Sequence, residues 1–165
     1  MTSRTEPPRA AGEREQLTGF LDFLREAVVL KATGLTDEQA RKRLVPSELT
    51  TVAGLVAHLT YVEQYWFGVV LDGRPDPWRA RFEQDPDAEF RAGMTTPLTE
   101  LVENYVQECA RSRAVVAARD LESTVERGGA PVNLRWVLIH MIEETGRHAG
   151  HLDLLRELLD GSTGE

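Results

Sequence analysis

Three of the four histidines in this 165-residue chain, together with one glutamate, stand where helical periodicity calls for leucine. Toward the C-terminus, Leu134, Val137, Met141, Glu144, His148, His151, Leu155 and Leu158 succeed one another at alternating steps of three and four. That is the spacing of a buried stripe in a helical bundle. The stripe is apolar at both ends and proton-binding in the middle. Burying such groups without partners costs roughly 1–3 kcal/mol each. His58 repeats the anomaly upstream, on the period Leu55, His58, Val62, Tyr65, Val69.

Imidazole and carboxylate are good ligands for Zn²⁺, Ni²⁺ or Fe²⁺. Residues three or four apart share a helix face, so Glu144, His148 and His151 can converge while His58 approaches from a second helix. The expectation is one divalent metal on His58, Glu144 and His148, with His151 as a further candidate ligand. Three protein ligands would leave a position open for water or substrate, the mark of a catalytic site. The plainer alternative has each histidine hydrogen-bonded in the core, Glu144 paired with Arg147 or Arg135, and the stripe rotated toward solvent. Four such residues on two stripes favour the metal.

Around this set, His140 lies one step off the stripe and reads as a supporting or solvated histidine. Tyr61 and Tyr65 follow His58 by three and seven and read first as aromatic packing. Glu63 and Glu143 are expected to face water. Cys109 has no basic neighbour in sequence and reads as a small core residue. Trp66, Trp78 and Trp136 read as packing residues, with Trp78 a candidate for the mouth of a pocket.

These residues need helices to position them. Leu17, Phe20, Leu21, Leu24 and Val28 predict a helix over about 12–32, closed near Gly34. Thr36 to Gln39 reads as a capping box. Thr50 or Thr51 can cap a second helix running to about Leu71, stopped by Asp72-Gly73-Arg74-Pro75. Residues 72–96 read as a long connection with a short helix near 86–92. Thr96-Pro97 starts a third helix to about Arg119, with Leu98, Leu101, Val102, Tyr105, Cys109, Ser112 and Val116 inward. Gly128-Gly129-Ala130-Pro131 is a turn, and Asn133 caps a fourth helix ending at Gly161. No strand-like alternation is visible. The expected fold is an all-α four-helix bundle with a long loop between its second and third helices, one domain over 12–160, and disordered tails at 1–11 and 161–165.

Lys and Arg number 19 against 27 Asp and Glu, a net charge of −8, which argues against nucleic acid as a partner. One cysteine permits no internal disulfide. The N-terminal stretch has no apolar run resembling a signal peptide, and no segment approaches the ~20 apolar residues of a membrane span. A cytoplasmic protein without membrane attachment is expected.

The segment His140-Met141-Ile142-Glu143-Glu144-Thr145-Gly146-Arg147-His148-Ala149-Gly150-His151-Leu152-Asp153 resembles the last helix of the DinB/YfiT-like superfamily of metalloenzymes. Leu55-Val56-Ala57-His58-Leu59, followed by Glu63-Gln64-Tyr65-Trp66-Phe67, is similar to its second helix, and the likeness spans about 12–160. The resemblance implies an up-down-down-up bundle, commonly a homodimer. It also implies a triad of a second-helix histidine, a histidine or glutamate, and a histidine four residues later. By position these fall on His58, Glu144 and His148. The Glu-x-x-x-His form resembles the mycothiol-dependent maleylpyruvate isomerase branch. His151 stands where many relatives carry glutamine; a fourth ligand, a replacement for Glu144 and a proton donor are all open roles for it.

The function so implied is metal-dependent chemistry with mycothiol or another low-molecular-weight thiol and an electrophilic substrate, either transfer or isomerisation. In that reading His151 or Tyr65 carries the proton, and Arg147 meets an anionic thiol or acid. The alternatives are a non-catalytic metal-binding or stress-response bundle and a plain helical interaction module.

Overall fold

The computed structural model describes residues 4–163; the ends of the two expected tails, 1–3 and 164–165, lie outside the described residues. Helix α1 (Glu13–Ala32) is followed by the single turn α2 (Asp37–Ala40), capped by Thr36 in the predicted capping box. Helix α3 (Val52–Glu63) starts at Thr51, whose hydroxyl accepts from the Gly54 amide. The connection carries α4 (Arg79–Phe82) and α5 (Ala88–Gly93), and α6 (Leu98–Ala117) comes next. Helix α7 (Leu134–Asp160) begins at Asn133, which accepts from the Trp136 amide, and closes at Gly161 with a left-handed φ of 75°. Residues 4–11 run back along α1, with Arg4 stacked over Phe23 and its guanidinium donating to the Phe23 carbonyl.

Two features depart from the sequence reading. Strands β1 (Thr124–Arg127) and β2 (Ala130–Asn133) form an antiparallel hairpin, with Arg127 opposite Ala130 and Val125 opposite Val132. The fold is therefore mostly helical rather than all-α. Gly128 and Gly129 make its turn at φ of 59° and 82°, the paired positive values that a two-residue hairpin turn requires. The second departure lies beyond Glu63, where the chain does not continue as α-helix. Gln64–Leu71 winds as a π-helix, and the Asp72 amide reaches back five residues to the Phe67 carbonyl. The wider turn shifts the phase. Phe67, Gly68 and Leu71 face the core, whereas Tyr65 and Val69 of the expected stripe are only half-buried. Such π-segments are rare and often mark functional sites.

The core divides into two apolar clusters. One gathers Val28, Leu55, Leu59, Leu101, Leu152 and Leu155; the other gathers Leu21, Val62, Phe67, Leu134, Leu138 and Met141. Between them three helices contribute a polar residue each. Arg25 follows Leu21 on α1, Glu63 adjoins Val62 on α3, and Thr145 stands between Met141 and Ala149 on α7, all buried. The expectation that Glu63 faces water is overturned: it is 1% exposed. Arg25 Nε and Nη2 donate to its two carboxylate oxygens at 2.8 and 2.6 Å, and Arg25 Nη1 donates to Asp22. Removing one partner of such a pair leaves a buried, uncompensated charge, at a cost of about 3–5 kcal/mol. The chain thus carries a polar belt at mid-height, and the candidate site lies on its flank.

Candidate metal centre

Helix phase explains where the belt opens. A strict seven-residue stripe drifts on a straight α-helix by ~20° per heptad, because the true repeat is 3.6 and not 3.5. At about 100° per residue, Glu144 lies about 60° to one side of Met141, His151 about 80° and Leu158 about 100°. Thr145, Ala149 and Leu152 fall on the other side and are buried together with Leu134, Val137, Met141 and Leu155 of the stripe. Four of the eight stripe residues therefore leave the core while Leu155 stays in it. Glu144 and His148 end half-buried at the rim, while His151 and Leu158 are exposed.

That rim position meets His58 of α3. His58 Nε2 lies 3.0 Å from Glu144 Oε1, and His148 Nε2 lies 3.2 Å from the same oxygen. His58, Glu144 and His148 each offer a ligand atom, all within 4.8 Å of one another. The two imidazoles meet edge to face, 4.9 Å between centroids.

The outer ring nitrogens are also held. His58 Nδ1 lies 3.1 Å from Glu89 Oε1, and His148 Nδ1 lies 3.2 Å from His151 Nδ1. Glu89 comes from α5, in the connection, and Phe90 beside it stacks on the His58 ring at 4.4 Å and 13°. Helix α5 reaches this position because Gly93 lies directly on α3. A Cβ there would stand 2.4 Å from the Ala53 carbonyl oxygen.

The charges respond to this geometry. Hydrogen bonds from His148 and His58 hold the Glu144 carboxyl well below its usual range, against the upward pull of burial. Burial alone would lower the His58 imidazole, but its hydrogen bonds to Glu144 and Glu89 outweigh burial and raise it. A carboxylate only accepts, so both contacts are hydrogen bonds together only while His58 is doubly protonated. His151 is lowered by burial and then by the neighbouring His148 and Arg147. One buried atom remains unpartnered here, Glu89 Oε2.

The donor set fits a divalent cation. One carboxylate and two imidazoles, once the imidazoles are neutral, carry a charge of −1, and the outer Glu89 carboxylate brings the site to −2. A tetrahedral ion with bonds of about 2.1 Å has ligand–ligand edges of about 3.4 Å, close to the 3.0 and 3.2 Å found. The third ligand pair also lies within reach.

The other expected site residues lie apart from the three. Tyr65 is held by Arg127 of the hairpin, which donates to its hydroxyl and lies 5.1 Å above its ring. Arg147 is exposed and paired with Glu143. His140 stacks on Trp136 at 5.1 Å and meets Trp66 edge-on. Cys109 is buried, its thiol pushed up to about 12 by burial and then by Glu63, which disqualifies it as a nucleophile at neutral pH. Sequence reasoning missed Glu89 and the Arg25–Glu63 pair. The sequence predicts a short helix near 86–92, but spacing within a connection does not say which residue returns to a distant helix.

The family model for mycothiol-S-transferase matches residues 16–161, nearly the whole chain. The chain belongs to the mycothiol-S-transferase family. This agrees with the DinB/YfiT-like resemblance of its second and last helices. No curated protein matches this family member. Among solved structures, a conserved protein from Enterococcus faecalis superimposes with a TM-score of 0.72 at 15% identity, over 93% of this chain and 100% of that one. At that identity the likeness concerns the fold. Among the described residues, no helix of the transferase family member is long and apolar enough to cross a membrane.

Proposed function

We propose that the protein is a metal-dependent S-transferase using mycothiol or a related low-molecular-weight thiol, with His58, Glu144 and His148 holding one divalent ion. One observation carries the metal assignment. Both imidazoles have their Nδ1 engaged, by Glu89 and by His151, and both turn Nε2 onto a single carboxylate oxygen. Such outer partners fix the tautomer of metal-ligating histidines and raise their basicity. Family membership carries the thiol.

A divalent ion here would lower the proton affinity of a thiol presented at its open position, favouring the nucleophilic thiolate. The chain's own residues do the rest. Glu89 keeps the His58 proton on Nδ1 so that Nε2 is free. His151 accepts from His148 Nδ1 and so acts as a positioning residue rather than a fourth ligand. In the transfer, sulfur bonds to the electrophilic carbon, the leaving group departs with its electron pair, and the thiol proton passes to water.

The test follows the metal-loaded protein with mycothiol and a chromogenic alkyl halide. Thioether should form faster than in protein-free controls, with the enhancement lost in His58→Ala and kept in His140→Ala. Full metal content without acceleration for any small thiol would refute the transferase and leave a metal-binding bundle.

A further inference from the structure

A cleft of about 570 Å³ opens between the end of α3, the π-helix, α4 and the hairpin. Tyr61, one helical turn beyond His58, forms part of its wall, and Tyr61 sits close enough to Glu89 for that carboxylate to help raise its phenol, after burial, Asp76 and Tyr65. Tyr65 and Trp66 continue the wall. They are among the residues that the π-helix leaves half-buried while it turns Phe67 and Leu71 inward. Phe82 of α4 faces Tyr61 at 4.9 Å. The cleft is therefore flanked by aromatic rings.

Its polar groups come in balanced signs: Asp76 and Glu83 against Arg79 and Arg127. Arg127 spans the hairpin side, 5.1 Å over the Tyr65 ring and 5.3 Å over the Trp66 ring. Ring faces pack against the C–H faces of a saturated ring, and an alternation of carboxylates and guanidiniums suits groups that both donate and accept. Hydroxyls do both. With two carboxylates and two guanidiniums the lining carries no net charge, so it offers no net attraction to an anionic body.

We infer that this cleft seats a neutral, polyhydroxylated, sugar-like body that carries the thiol, and that Arg127 of the hairpin is a specificity-determining residue for it. Mycothiol, a cysteine mounted on an amino sugar and a cyclitol, has such a body. The inference rests on the thiol reading above and adds the place and the discriminating side chain. The hairpin and the π-helix acquire a common purpose: one supplies Arg127, the other supplies the rings beneath it.

The experiment uses the purified full-length chain and the S-methyl thioether of mycothiol, whose sulfur cannot ionise, so that binding reports on the cleft and not on the metal. Calorimetric titration should show saturable binding by the wild type. Arg127→Ala and Phe82→Ala should each weaken it about fivefold or more, the worth of one hydrogen bond or ring contact. S-methylglutathione should not compete. No binding by the wild type, unchanged binding in both variants, or equal binding of S-methylglutathione overturns the inference. Metal content and thiol transfer are measured on the same samples. Cleft binding without metal or transfer refutes the proposed function alone, and transfer with an unaltered KM for mycothiol in both variants refutes the cleft alone.

Discussion

Replacing Glu89 by alanine separates two quantities that usually fall together, metal affinity and fold stability. Glu89 donates nothing and accepts from His58 Nδ1 at 3.1 Å. Its removal frees the His58 ring to rotate or to take the wrong tautomer. Loss of an outer partner of this kind weakens metal binding about 10- to 100-fold, or about 1.4–2.7 kcal/mol. The same carboxylate is 5% exposed and its Oε2 has no partner, so folding pays a desolvation cost that alanine removes. The cavity and the lost hydrogen bond act in the other direction. Metal-free Glu89→Ala should therefore stay within about 1 kcal/mol of the wild type while its metal Kd rises at least tenfold. Competition against a chromophoric chelator gives the Kd, and urea unfolding of the chelated protein gives the stability. An unchanged Kd would refute the account of how His58 is held. A Kd change that merely tracks a large loss of stability would show Glu89 to be a packing residue.

Two further outcomes are expected. Gly93→Ala drives a Cβ toward the Ala53 carbonyl and must lift α5 from α3; metal affinity should fall along with stability, and wild-type affinity in a folded variant would show that α5 does not matter to the site. The pH dependence of the metal-free protein has a definite sign. Glu144 is lowered by His148 and His58, so its contribution is present above about 4.5 and lost as pH falls below that. His58 is raised by Glu144 and Glu89 against burial, so its contribution is complete below about 6.5 and lost as pH climbs through the folded-state value. Stability of the metal-free chain should peak between those limits. Added Zn²⁺ should move the optimum upward, because metal displaces the His58 Nε2 proton, and thermal melts across pH with and without Zn²⁺ read both. An optimum indifferent to metal would contradict the linkage.

The helices were legible because local rules govern their ends: the Thr36 capping box, the Thr51 and Asn133 caps and the Gly161 stop all formed as their residue types require. The three residues brought together were legible for a different reason. Polar groups in an apolar period are costly, and the cost points to a shared partner. What sequence concealed depends on long-range packing. The π-segment at Gln64–Leu71 shows no local signature, and it moves Phe67 inward in place of Val69. The hairpin has strands of four residues with a single apolar pair, Val125 and Val132, too short for alternation to show. Glu63 looked like a surface residue because nothing near it in sequence neutralises it; Arg25, its partner, lies 38 residues away on α1. The heptad count on α7 placed His151 with the other ligands, and the 3.6-residue repeat carries it around to solvent.

The central claim is that His58, Glu144 and His148 are shaped by a cation. Elemental analysis of the purified chain after Zn²⁺ loading and desalting, run beside His58→Ala and Glu144→Ala, tests it most directly. The account predicts close to one metal per wild-type chain and a large loss in both variants. A wild-type chain that retains no metal, or variants that retain as much as the wild type, would contradict it.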